Sequence, residues 1–135
     1  MGRMFKAICV IALLLVLPGV VSSGTILETT DALEVVTTTT AAVDYTVSFA
    51  DHTTTTFTPG KSAGQITTAT TTTIVSAPAA STTRQLKEVT LRNASTTTAN
   101  SLTIQRDVSG ANRTMASFTL APGEWFNMDS NGTMT

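Results

Sequence analysis

The sequence predicts an all-β protein: an antiparallel β-sandwich or jelly-roll-like single domain preceded by an N-terminal apolar helix. Three observations carry that reading. Val43, Tyr45, Val47 and Phe49 alternate with Asp44, Thr46 and Ser48 in strict period two, the mark of a half-buried strand. Threonine, at thirty residues, is the compositional outlier; it is β-branched, prefers extended backbone and tolerates water on a sheet's wet face. Short apolar-alternating runs are separated by turn residues at intervals of roughly 8 to 12 residues, the spacing of a sandwich. Threonine-rich stalks would interleave with proline, but only four prolines occur and apolar residues punctuate every threonine cluster.

The first 23 residues read separately. Arg3 and Lys6 precede the apolar run Ala7–Leu17, Pro18-Gly19 breaks it, and Val21-Ser22-Ser23 offers small residues for cleavage. That order is a secretory signal, and the run is shorter than the roughly 20 residues a membrane span needs. Residues 24–135 then form the expected domain, large enough to bury about two-thirds of its unfolded surface. Without Arg3 and Lys6, six basic residues face nine acidic ones, a net charge of -3. No basic run with interleaved aromatics exists, so nucleic acid is not an expected partner. Membrane contact is expected only through the leader, if it is retained. Cys9 is the only cysteine and lies inside the apolar run, which leaves residues 24–135 no disulfide and no thiolate-bound metal.

In chain order, Gly24 to Leu33 reads as an arm whose Glu28, Asp31 and Glu34 form a solvated acidic edge. Leu33–Thr37 begins the first strand and Val43–Ala50 is the second. Asp51-His52 is the turn after it, Thr53–Thr58 a returning strand, and Pro59–Gly64 a loop by composition. Residues 65–76 hold one or two strands with Ile66, Ile74 and Val75 in the core. Ala77–Ser81 connects, since Pro78 cannot join a central ladder. In the following strand, residues 85–93, Leu86 is out of phase with Val89 and Leu91, which predicts a bulge near Lys87-Glu88. Leu102 and Ile104 point inward, with Arg106 on the same face. After the turn at residues 108–112, Ala116, Phe118 and Leu120 alternate into Pro122-Gly123, a type II turn. Trp125–Met128 is the last strand, and Asp129–Gly132 a turn that only three residues outlive.

No catalytic, cofactor-binding or metal-ligating set emerges. His52 is the sole histidine, and with Asp51 beside it still lacks metal-ligand spacing; it reads as a turn residue. No Gly-x-Ser-x-Gly elbow supports a serine nucleophile. Asp44, Asp51, Glu124 and Asp129 form no paired-carboxylate motif. Gly60-Lys61-Ser62 lacks the upstream glycine and following helix of a phosphate loop. Asn93, Asn112 and Asn131 head N-x-S/T triplets, which matter only in a eukaryotic secretory product. Trp125, Phe126 and Phe118 read as core closure of the last hairpin, with a ligand-stacking patch as the alternative.

Longer stretches carry a resemblance. The arm Ile26–Thr37, Val43–Ser48, Asp51–Thr54, Thr58-Pro59-Gly60, Gly64–Thr67, Thr70–Val75 and Ala77-Pro78 resemble, in order and spacing, small structural proteins of tailed bacteriophages. So do Arg84–Lys87, Val89–Asn93, Asp107–Gly110 and Leu120–Glu124. The resemblance implies a non-enzymatic virion component, a head-decoration, head-fibre or tail-associated β-sandwich, with a homo-oligomer (a trimer in many such proteins) and other virion proteins as partners. There are two departures. Proteins of this kind start near the Leu27-Glu28-Thr29-Thr30-Asp31 arm without a secretion signal, and they continue past the Asp129–Gly132 turn into an aromatic strand. The first implies an upstream start or a fused leader; if residues 1–23 are instead a working signal, a secreted or cell-surface binding domain, with glycan among its candidate ligands, is the alternative to a virion location. The second suggests a shortened reading frame.

Overall fold

The computed structural model describes residues 24–135, so the expected leader helix and the boundary at residue 23 lie outside the described residues. Nine strands follow in chain order: β1 (Ile26–Leu27), β2 (Asp31–Thr37), β3 (Val43–His52), β4 (Phe57–Ile66), β5 (Thr71–Val75), β6 (Thr83–Asn93), β7 (Asn100–Val108), β8 (Ala111–Leu120) and β9 (Trp125–Asp129). No helix occurs among the described residues. The strands form two antiparallel sheets. One has the order β1-β6-β3-β4, with β9 also on β6 beside β1; the other runs β5-β2-β7-β8.

The alternation read from the sequence becomes the core. Val43 and Val47 of β3, and Leu33 and Val35 of β2, are fully buried and meet Leu86, Val89, Leu91, Leu102 and Ile104 in one apolar cluster drawn from both sheets. Each such side chain contributes about 1.5–3 kcal/mol of transfer free energy. Two irregularities follow from bulges. Ser48 pairs with Glu88 and Phe49 with Leu86, so Lys87 is the extra residue that puts Leu86 and Val89, three apart, on one face, as the broken phase predicts. On β5 the pairing skips from Val75 to Thr73, and the consecutive Ile74 and Val75 are both buried.

Four expectations need correction. Pro59–Gly64 is not a loop but the middle of β4, paired with β3 from His52↔Phe57 to Val43↔Ile66. Strand geometry survives there because β4 is an edge, where the missing Pro59 N–H need break no ladder, and because Tyr45 and Phe49 lie over Gly64 and Gly60. The returning strand accordingly starts at Phe57 rather than Thr53. Asp51-His52 belongs to β3, and the turn is Thr53–Thr56, closed by Thr53 N–H donating to Thr56 O at 3.0 Å and by the two hydroxyls at 2.7 Å. Asp31 is not on a solvated edge. It is 3% exposed, on the inward face of β2, and it faces Arg106.

The wet faces are as hydroxyl-rich as the composition implies. Across β7 and β8, Ser101 meets Thr119 at 2.8 Å and Thr103 meets Ser117 at 2.9 Å. Cross-strand pairs of this kind each contribute a few tenths of a kcal/mol or more. The Pro122-Gly123 turn is type II, with Gly123 at φ +80° and Glu124 N–H donating to Ala121 O. After the turn at residues 129–132, Met134 bridges back to Met128, so the last three residues start a return arm along β9.

Candidate functional site

Two arginines and two buried asparagines close the ends of the sandwich. At one end, Arg84 clamps Asp51 through Nε–Oδ1 at 2.6 Å and Nη2–Oδ2 at 2.8 Å. Its third nitrogen crosses to the other sheet and donates to Ser76 O at 2.9 Å, while the guanidinium lies 4.1 Å over the Phe49 ring. The Arg84 hydrogen bond holds the Asp51 carboxyl below the ordinary carboxylate range, against the opposing effect of burial. Beside this clamp, Arg106 of the second sheet approaches Asp31 at 3.7 Å and donates to Ile26 O of the first. Both arginines therefore tie sheet to sheet.

Two asparagines that are 0% exposed seal the opposite end. Asn100 donates to Ala41 O at 2.9 Å and accepts from the Thr38 and Thr39 amides, which fixes the β2–β3 loop. Asn93 donates to Thr98 O and to Leu120 O of the facing sheet, at 2.9 and 3.0 Å. Its burial places it out of reach of a glycosyl donor in the folded chain, whereas Asn112 and Asn131 are exposed. Nothing in the sequence marked these asparagines, or Arg84 and Arg106, as end closures; the only local signal is a polar residue where a strand's inward phase should end.

The other candidates are scattered. Asp44 accepts from Gln65 Nε2 at 2.7 Å, Glu124 caps the Ala121 amide at 2.7 Å, and Asp129 accepts the Asn131 and Thr133 amides of its own turn. His52 stacks edge-on against Phe57 at 4.8 Å; its Nε2 is buried without a partner, as is Asn127 Oδ1. No group of three or more His, Cys, Asp or Glu able to hold a metal occurs among the described residues. Lys61 projects from β4 and is exposed.

What remains is surface with shape. Trp125, Phe126 and Phe118 split between two roles. Phe118 and Phe126 stack at 4.1 Å with a 12° tilt and close the core, while Trp125 is turned out and 64% exposed. The side of the sandwich between β8 and β9 is an open groove of about 380 Å³, lined by Ala116, Phe118, Leu120, Trp125, Phe126 and Met134 among others. Along it β8 is an edge, paired with β7 alone among the described residues. The edges differ in their protection. β4 carries Pro59 and Lys61, which discourage pairing, and Ser62 Oγ donates to Ile74 O at 2.5 Å, tying it to β5. β8 runs ten residues, carries one charged side chain, Arg113, and is interrupted by one bulge, at Met115. Comparison with family models, curated proteins and solved structures finds no match to this chain.

Proposed function

We propose that the chain is a non-enzymatic structural component of a bacteriophage virion, acting through sheet packing and through contacts with further copies of itself and with capsid or tail proteins. The observation that supports this reading best is the long β8 edge, without proline and uncovered among the described residues, beside an apolar groove. An exposed strand edge is a template for pairing with another chain, and burying Phe118 and Met134 together with the edge would give the contact a dry centre. The resemblance of the strand-bearing segments to virion proteins points the same way. A copy of the same chain is the simplest occupant, because homo-oligomers are the usual route to such contacts. Sedimentation velocity on the purified chain tests the proposal: a defined oligomer is expected, and Ser117→Pro in β8 should shift it to monomer while leaving the far-ultraviolet spectrum of a folded sheet. A chain that is monomeric throughout and does not co-sediment with virions refutes it.

A second reading, a secreted or cell-surface β-sandwich binding domain, is favoured by Arg3, Lys6 and the Ala7–Leu17 run. N-terminal sequencing separates the two: a product exported and beginning at Gly24 supports secretion, and an intact chain inside the cell counts against it.

A further inference from the structure

The outer face of the five-stranded sheet carries a row that the core does not require, and its last member also borders the β8–β9 groove. Register places Gln65, Asp44, Arg92 and Trp125 side by side across β4, β3, β6 and β9. Trp125 is the most exposed large apolar side chain of the described residues. The Arg92 guanidinium lies 5.2 Å from its ring centroid, a cation–π contact. Between Trp125, Arg92, Asp44, Tyr45, Thr46 and Thr90 is a cleft of about 130 Å³. Every one of these residues stands on a strand, which keeps the geometry fixed to better than a loop would.

The chemistry of the cleft selects its ligand class. One wall is an aromatic face and the other walls offer hydroxyls, a carboxylate oxygen and a guanidinium. Asp44 and Arg92 cancel in charge, so neither an anion nor a cation is favoured. The neighbouring row, Thr46, Thr90 and Asn127, is polar, which is unlike the apolar centre of a protein interface. A flat molecule with a C–H face and a rim of hydroxyls matches both kinds of wall, in the usual pattern of an apolar surface with a few placed polar groups. We propose that this cleft binds a neutral oligosaccharide, with one pyranose ring against the Trp125 indole and its hydroxyls on Asp44, Arg92, Thr46 and Thr90. Trp125 is shared with the β8–β9 groove, whereas Asp44 and Thr90 line the cleft and not the groove, so substitutions at those two residues separate sugar binding from assembly through β8.

Trp125 is the only tryptophan and borders both the cleft and the β8–β9 groove, so its emission is read at a protein concentration where the sedimentation coefficient does not change with added sugar. The purified chain is titrated with cellohexaose, maltohexaose, laminarihexaose and chitohexaose. A saturable emission change with at least one of them is expected, with a Kd on the order of 1 mM, as befits one shallow subsite. Asp44→Ala and Thr90→Ala should each weaken that binding by about tenfold, equivalent to about 1.4 kcal/mol, without altering the sedimentation coefficient or the melting temperature by more than a few degrees. Absence of any emission change up to about 10 mM sugar overturns the proposal, and so does binding that both variants leave untouched.

Discussion

Replacing Gly60 with alanine sets two effects of opposite sign against each other. Alanine in a strand is favoured over glycine by about 0.5–1 kcal/mol, because less backbone entropy is lost on folding. A Cβ at Gly60, however, would run into the Phe49 ring, meeting Cε2 and, at 2.7 Å, Cζ. That ring cannot simply swing away. It lies under the Arg84 guanidinium at 4.1 Å, and Arg84 is itself held by Asp51 and by Ser76 O. Overpacking at such a site costs about 1–3 kcal/mol, and disturbing the cation–π contact adds about 0.5–1 kcal/mol. The net expectation is a loss of about 1–2 kcal/mol, read as a fall of roughly 1 M in the urea midpoint. The decisive control is the cycle with Phe49→Ala, in which Gly60→Ala should become neutral or stabilising by about 0.5 kcal/mol. If Gly60→Ala stabilises the wild-type chain as much as it stabilises Phe49→Ala, the ring does not occupy the space above the glycine and the account of β4 is wrong. Gly64→Ala should cost less than Gly60→Ala, because the obstacle there is the free end of Tyr45, with its hydroxyl 2.7 Å from the added Cβ.

Further expectations concern the turn and the two closed ends. Gly123→Val should destabilise by about 1 kcal/mol or more in denaturant titration, through the positive φ alone, since nothing lies within 4 Å of its added Cβ. Asn93→Ala should cost about 2–3 kcal/mol, because the carbonyls of Thr98 and Leu120 lose their donor; an unchanged melting curve would show that water replaces it freely. Asp51→Asn should lower stability by about 2 kcal/mol at neutral pH, the scale of a charged hydrogen bond. The Asp51 pKa is depressed in the folded chain, so its contribution is present above the unfolded carboxylate value of about 3.9 and is lost as pH falls through the folded value. The gap between wild type and Asp51→Asn should therefore be level at neutral pH and shrink in acid; a gap that widens in acid contradicts the clamp.

The strands that depend on a local pattern were legible. β3 announces itself by strict alternation, the bulge at Lys87 by the broken phase of Leu86, and the type II turn by Pro122-Gly123. β4 was not legible, because Pro59, Gly60 and Gly64 carry loop composition and become strand only through the aromatic side chains of β3, a contact between segments that no local window contains. Asp31 was misplaced for a related reason: its partner Arg106 lies on another strand, so the three acidic residues of the arm look alike in sequence. Trp125 and Phe126 are adjacent, and alternation sends them to opposite faces; reading them with Phe118 as one cluster overlooked that period. The groove and the open β8 edge are properties of how the sheets close, and no residue of β8 declares them.

Assembly through the β8 edge, as proposed, would show in amide hydrogen exchange followed across a concentration series. In dilute protein the β8 amides that do not bond to β7 should exchange quickly, and in concentrated protein alternate amides from Asn112 to Thr119 should slow by tenfold or more, which corresponds to at least about 1.4 kcal/mol of added protection. If exchange along β8 stays independent of concentration while another surface becomes protected, assembly uses that surface and the account is wrong.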